Sequence, residues 1–202
     1  MLVRLPSGVD PAAVASASDN IPDAYRSVGP QLADDPAAEV LVIGGPAAPS
    51  IGLYAAGLAV ALGSARVVYL DDSGRRLDIA KSLGAEAIEG PPDVRVGRFP
   101  IVVEAAGGAK ALRGAIDATA YDGWCTSVSV QSQDVALPLF GMYTRCCTLH
   151  TGRAHVRPVI PEVLDLVAAG RFDPSLVTTA TVPWEDSMEA LLETPMKLVA
   201  VR

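Results

Sequence analysis

What most constrains the fold of this chain is a repeating alternation. Short runs, apolar on both faces, are separated by helix-forming stretches of about ten residues. Residues 39–43 (Glu-Val-Leu-Val-Ile) end in Gly44-Gly45, as a buried strand does. Residues 50–62 are apolar nearly all round and built from good helix formers, which predicts a buried helix with Gly63 as its C-terminal stop. Residues 66–70 are β-branched and aromatic enough for a second strand, and residues 74–83, closed by Gly84, make a second helix. The alternation repeats as a strand at 100–104, a helix at 109–120 and a strand at 124–130. Strands of this kind predict βαβ crossovers and a parallel sheet, an α/β fold.

The flanks read differently. Residues 6–36 are rich in Pro, Asp and Ala, with one amphipathic stretch at 23–28 that Gly29-Pro30 stops. Beyond the alternation come a strand near Thr148, helices at 161–169 and 185–193, and a last strand at 197–201. A formal charge of -7 repels phosphate backbones, and 5% aromatic residues are too few for a base-stacking platform, which argues against a nucleic-acid partner. The longest apolar run, 51–62, falls short of the ~20 residues that cross a bilayer, and residues 1–11 hold no apolar stretch of signal-peptide length. Cys125, Cys146 and Cys147 form neither a CxxC motif nor a paired framework. The expectation is a cytoplasmic chain with no membrane contact.

The first crossover has the makings of a nucleotide site. A strand ending in Gly44-Gly45, a tight turn and a helix opening at Ser50-Ile51-Gly52 form a phosphate cradle, with free amides and the positive helix end facing the strand tips. Gly52, without a side chain, lets that helix approach the sheet. Asp71 ends the second strand about twenty residues beyond Gly52, the distance at which an acid accepts the ribose hydroxyls of a dinucleotide. Asp71 also selects: a 2′-phosphate ~6 Å from a carboxylate costs about 3 kcal/mol at an effective dielectric near 20, so NAD is favoured over NADP unless Arg75 or Arg76 swings in. A strict G-x-G-x-x-G ending at Gly52 would need glycines where Ala47 and Pro49 stand. An alanine forced into a left-handed conformation there would carry strain of about 1 kcal/mol. Glycines and a terminal Asp also occur in α/β crossovers that bind nothing.

In order along the chain, several blocks resemble the zinc-dependent alcohol dehydrogenases of the medium-chain dehydrogenase/reductase family. They are Ser18-Asp-Asn-Ile-Pro-Asp-Ala-Tyr-Arg26, Val40-Leu-Val-Ile-Gly-Gly45, Ile51-Gly-Leu-Tyr-Ala-Ala56 and Asp78-Ile-Ala-Lys-Ser-Leu-Gly-Ala85. Val103-Glu-Ala-Ala-Gly107, Ala168-Ala-Gly-Arg-Phe-Asp-Pro174 and Lys197-Leu-Val-Ala-Val201 continue the series. The resemblance spans nearly the whole chain and implies a Rossmann domain at 20–153, flanked by a catalytic-domain remnant at 1–19 and a return segment at 154–202. The family's N-terminal GroES-like catalytic barrel, with its first zinc ligands and structural-zinc cysteines, has no counterpart here. The resemblance therefore implies that zinc is absent from this chain and that turnover requires the missing part in trans, from a separate polypeptide.

The same resemblance assigns roles by position. Ile51 and Gly52 would lie at the pyrophosphate, Asp71 at the ribose with Arg76 beside it, Ala105 near the adenine edge, and Val128 and Val130 at the nicotinamide. Asp19 falls where some bacterial members place a carboxylate ligand of the catalytic zinc; otherwise it caps or turns the chain ahead of the 23–28 helix. His150 and His155 do not have metal-pair spacing. Arg145, Arg153 and Arg157 form a basic stretch facing either cofactor phosphates or solvent, and Cys146-Cys147 read as small hydrophobes of a strand or as a redox pair. Two functional readings follow: the NAD-binding part of an oxidoreductase, or a non-catalytic binding or scaffold protein derived from the family. Relatives dimerise through edge strands of two Rossmann sheets, and the apolar segment 135–143 suits a homodimer of that kind. The chain could also be an incomplete gene product. In either case strand 197–201 lacks its usual neighbours, and residues 1–5 are the expected partner.

Overall fold

The computed structural model describes residues 2–202. A 3-10 turn at Ala15–Ser18 leads into α1 (Asn20–Arg26) and α2 (Gly29–Asp34). The alternating region gives β1 (Val40–Ile43), α3 (Pro49–Leu62), β2 (Val67–Asp71), α4 (Gly74–Ser82) and β3 (Glu86–Glu89). It continues through β4 (Phe99–Glu104), α5 (Gly108–Asp117), β5 (Thr119–Ser127), α6 (Leu139–Arg145) and β6 (Thr148–Thr151). The remaining elements are α7 (Val156–Ala168), β7 (Ala180–Pro183), α8 (Ser187–Leu192) and β8 (Leu198–Val201).

Strands β1 to β6 form one sheet in the order β3-β2-β1-β4-β5-β6, with every pairing parallel. This is the doubly wound Rossmann arrangement, and the strand order reverses between β1 and β4, above whose tips such sheets bind ligands. Alternate residues of each central strand serve different cores. Val40, Val42 and Tyr69 face α1, α3 and α7 through Ile21, Leu53, Leu58 and Val163, whereas Leu41, Ile43 and Leu70 face α5 through Leu112 and Ile116. Both faces are covered, and this is why the strands are apolar without a break. The helix α3 is buried around almost its whole circumference because it lies between the sheet, α1 and α4. It stops at Gly63, in a left-handed conformation with φ +94°.

Several elements differ from the sequence reading. The outer strand β3, Glu-Ala-Ile-Glu, escapes an apolar criterion because an edge needs less covering. The fifth strand starts at Thr119 and ends at Ser127, so residues 128–130 lie past it. Within the segment expected to form an edge strand, Leu139–Arg145 is a helix, closed by Cys146 at φ +55°. Cys146 is therefore exposed and Cys147 half-buried, and the deeply buried cysteine is Cys125. The helix expected to begin at Pro161 begins at Val156 and carries Pro161 in its interior. The terminal strand β8 pairs in parallel with β7, not with residues 1–5; residue 1 lies outside the described residues. Val3, Leu5 and Val9 instead pack against Val14, Ala17 and Leu164. No described helix is long and apolar enough to cross a membrane.

Candidate functional site

The register of the sheet brings the expected residues into one row. Ile43, Leu70, Glu104 and Ser127 lie level across β1, β2, β4 and β5. The ladder runs one residue further: Gly44 N–H donates to the Leu70 carbonyl at 2.8 Å, Ala105 N–H to Ile43 at 2.9 Å and Val128 N–H to Glu104 at 2.9 Å. Gly44, Asp71, Ala105 and Val128 thus line the lip of the crevice above the switch point.

Above that lip, α3 opens with Pro49, and the first-turn amides of Ser50 and Ile51 have no intrahelical acceptor. The flanking amides are spent, Ala48 N–H on the Ala105 carbonyl and Gly52 N–H on the Ala48 carbonyl, both at 3.0 Å. A Cβ at Gly52 would stand 3.0 Å from the Ala105 Cβ, so the helix end sits directly on β4. The loop after β1 interlocks with the loop after β4. A Cβ at Gly45 would lie 2.6 Å from Ala106 Cα, and one at Gly107, where φ is +82°, would lie 2.6 Å from the Ala47 Cβ. Ala47, Ala48 and Pro49 do not take positive φ, so the loop avoids the left-handed alanine considered above.

Asn20, from α1, connects this helix end to the chain's C-terminal segment. In the amide orientation its partners dictate, Asn20 donates to Asp19 Oδ2 at 2.9 Å and accepts from Ser50 Oγ at 2.8 Å and Lys197 Nζ at 3.2 Å. Burial pulls the Lys197 ammonium below its ordinary pKa, and the Asp19 charge opposes that shift. A cation thus stands beside the anion-attracting end of α3. Asp19 itself is exposed and holds the N-cap position of α1 without a side-chain capping bond. Among the described residues no three His, Cys, Asp or Glu side chains converge as a metal site, so Asp19 has no co-ligands there.

At the tip of β2 the Asp71 carboxylate is fully engaged. Arg76 donates from Nε to Oδ2 and from Nη2 to Oδ1, each at 2.7 Å; the Ser73 amide reaches Oδ1 at 2.9 Å and the Tyr69 hydroxyl Oδ2 at 3.1 Å. A carboxylate has about four lone-pair sites, and four donors fill them. Burial pushes the Asp71 carboxyl upward, but Arg76, the Ser73 amide and Tyr69 outweigh it and hold the group below its usual range. The Tyr69 ring is wholly buried, and burial together with the Asp71 charge drives its hydroxyl well above the ordinary phenol value.

On the other side of the crevice, Glu104 is fully buried with neutral donors around it. Gly107 N–H reaches Oε1 at 2.6 Å, and the Ser127 and Ser129 hydroxyls reach Oε2 at 2.7 and 2.5 Å. Val128 is buried and lines, with Ser127, Ser129, Val130 and Arg153, a cavity of about 560 Å³; Val130 is 89% exposed. Arg145 turns inward to donate to the Ile116 carbonyl at 2.9 Å, and Arg157 lies by Leu5 and Ile160. His150 and His155 border an adjoining cavity beside Arg26 and Trp124, which shares Thr151, Gly152 and Arg153 with the first. The sequence reading passed over Asn20, Tyr69, Glu104 and Lys197. For Glu104 the available signal was an acid ending an otherwise apolar strand.

No protein-family model matches the chain, and no curated protein matches it. Solved structures do. The alcohol dehydrogenase TADH from Thermus sp. ATN1 is 28% identical, with a TM-score of 0.85 over 99% of this chain and 61% of that one. A short chain alcohol dehydrogenase from E. coli CFT073, complexed with cofactor NADH, is 19% identical, with a TM-score of 0.82 over 99% and 62%. An alcohol dehydrogenase zinc-binding domain protein from Burkholderia ambifaria is 19% identical, with a TM-score of 0.84 over 99% and 58%. All three carry the name alcohol dehydrogenase, one of them as a zinc-binding domain protein, and the chain spans less than two thirds of their length.

Proposed function

We propose that this chain is the NAD-binding part of a zinc-type alcohol dehydrogenase-like oxidoreductase. Hydride transfer between NAD(H) and an alcohol or carbonyl compound then occurs only when the remaining part is supplied, within a longer chain or by a separate polypeptide. The observation that carries this reading is the row Gly44, Asp71, Ala105, Val128 beneath the open amides of Ser50 and Ile51. When bound, NAD supplies a hydride acceptor. The chain's own residues bind and orient it: the α3 amides with Lys197 hold the pyrophosphate, and Asp71 accepts the adenosine ribose hydroxyls.

The filled acceptor sites of Asp71 set a condition. A ribose enters only as one donor leaves, and Arg76, 17% exposed, can swing outward while Tyr69 and the Ser73 backbone cannot. With that rotation the cradle fits a dinucleotide, and the Asp71 charge still disfavours a 2′-phosphate. The described residues do not fit a catalytic zinc, because no three His, Cys, Asp or Glu side chains converge among them.

Trp124 on β5 provides the test. Titrated NADH is expected to quench tryptophan fluorescence saturably, with NADPH weaker by about two decades. Unchanged fluorescence at millimolar NADH removes the reading. A second reading is a non-catalytic nucleotide-binding or dimerising scaffold, and the closure of Asp71 by its own arginine favours the dimerising form, because a site so filled stands complete without a ligand. For the quaternary state we propose a homodimer through β6, an outer strand of the sheet, with Leu139, Phe140 and Tyr143 of α6 exposed nearby. Sedimentation as a monomer at micromolar concentration counts against it. Three free cysteines favour a reducing cytoplasm as the chain's location.

A further inference from the structure

The crossover from β3 to β4 departs from the pattern of the others. Residues 90–98 traverse the sheet face without a helix, and Val96 packs into the core beside α5. A crossover between parallel strands usually carries a helix. Here the space beside α5 is a cavity of about 670 Å³, within the range of small-molecule sites. Its two walls approach closely. A Cβ at Gly114 would lie 2.6 Å from the Pro92 carbonyl oxygen, and Lys110 Nζ meets Asp93 Oδ1 at 3.1 Å across the gap.

Those walls are strongly cationic. Arg95 and Arg98 come from the crossover loop, Lys110 and Arg113 from α5, against the acids Asp93 and Asp117. Four cations and two acids leave the cavity at +2, in a chain whose formal charge is -7. Lys110 is engaged with Asp93, and Arg113 makes only a long contact of 3.4 Å to the Ala136 carbonyl. Guanidinium forks match the paired oxygens of phosphate and carboxylate groups. None of the lining residues belongs to the Ser50–Asp71 cradle.

We propose that this cavity binds a small polyanion, a molecule carrying two or more phosphate or carboxylate groups. The test follows the backbone amide resonances of Gly97 and Gly114 in the whole chain, at constant ionic strength, as pyrophosphate or citrate is added. Saturable shifts at both glycines are expected, with each removed guanidinium weakening binding about tenfold in R95A, R98A and their double variant. Both arginines are exposed, so these variants keep the core, and R113Q probes the opposite wall. Saturation by pyrophosphate alone identifies a phosphate ligand, and saturation by citrate alone a polycarboxylate. Shifts that do not saturate, or that persist unchanged in the double variant, overturn the proposal. The Gly52 amide reports any separate occupation of the α3 end by pyrophosphate.

Discussion

Arg76 grips Asp71 with both arms of its guanidinium, two bonds of 2.7 Å to the two carboxylate oxygens at the tip of β2. The residue expected to receive a ribose is held by an internal cation. Affinity for a dinucleotide then depends on how readily Arg76 leaves, and the same contact sets the acid stability of this corner.

The Asp71 carboxyl is held below its ordinary 3.8 in the folded chain. A depressed carboxyl contributes stability that is present above the unfolded value and is lost as pH falls through the native one. The wild-type chain therefore keeps this contribution down to about 3.8 and loses it below. In Arg76→Ala the burial of Asp71 acts without its opposing cation, so the carboxyl shifts upward, its stabilising contribution shrinks, and stability falls less steeply below pH 3.8 than in the wild type. Urea unfolding across the acid range should show this shift, together with a cost of about 2 kcal/mol at neutral pH.

Gly44→Ala tests the packing under the cradle. An added Cβ overlaps the Tyr69 hydroxyl and Asp71 Oδ2, both at the ends of side chains. Tyr69 is wholly buried and Asp71 is held by four donors, so neither yields freely. The expected cost is about 1–3 kcal/mol in a thermal melt, with loss of NADH quenching. The Tyr69 ring carbon Cζ overlaps the new Cβ as well, so adding Tyr69→Phe, which removes only the hydroxyl, should restore little of the stability. A large recovery would show that the ring yields and that the hydroxyl alone blocks the new Cβ.

Most of the sheet could be read from the sequence because its central strands are buried on both faces, which leaves an unbroken apolar run for each of β1, β2 and β4. The edges could not. Glu86–Glu89 pairs on one side only and keeps two exposed acids, so it resembles a turn. Leu139–Arg145 has the apolar content of a strand, yet it forms a helix that leaves Leu139, Phe140 and Tyr143 exposed and turns Arg145 inward to the Ile116 carbonyl, a tertiary contact. The expected cofactor positions lie on a common lip because sequence spacing and sheet register count in the same unit. Lys197 and Asn20 were invisible for the opposite reason. They meet Ser50 from far ends of the chain, and no local pattern announces such a meeting.

The cysteines separate by environment. Cys125 is buried on β5 and its thiol is pushed up to about 12 by desolvation, which leaves almost no thiolate at neutral pH. Cys146 is exposed at the end of α6, and Cys147 is half-buried with its Sγ 3.6 Å from the Ala120 carbonyl. A thiol reagent on the native chain should label Cys146 first and Cys147 slowly. Cys125 should react only after denaturant is added. Early labelling of Cys125 would place it outside the core.

Glu104 offers the sharpest separation of charge from shape. Its carboxylate joins the loop after β4, through Gly107, to the last residue of β5, Ser127, and to Ser129 just past it. Glu104→Ala leaves three donors without their acceptor and should cost about 3 kcal/mol. Glu104→Gln keeps the volume and one carbonyl oxygen but turns an NH2 group toward hydroxyls that now donate, so a smaller loss is expected. Because Ala47 rests against Gly107, a shift of that loop also moves the cradle, and NADH should bind more weakly in the Gln variant even where the fold survives. Unfolding curves and NADH titrations on both variants separate the effects. Equal stability of Gln and wild type, with unchanged NADH affinity, would mean that the buried charge holds neither loop.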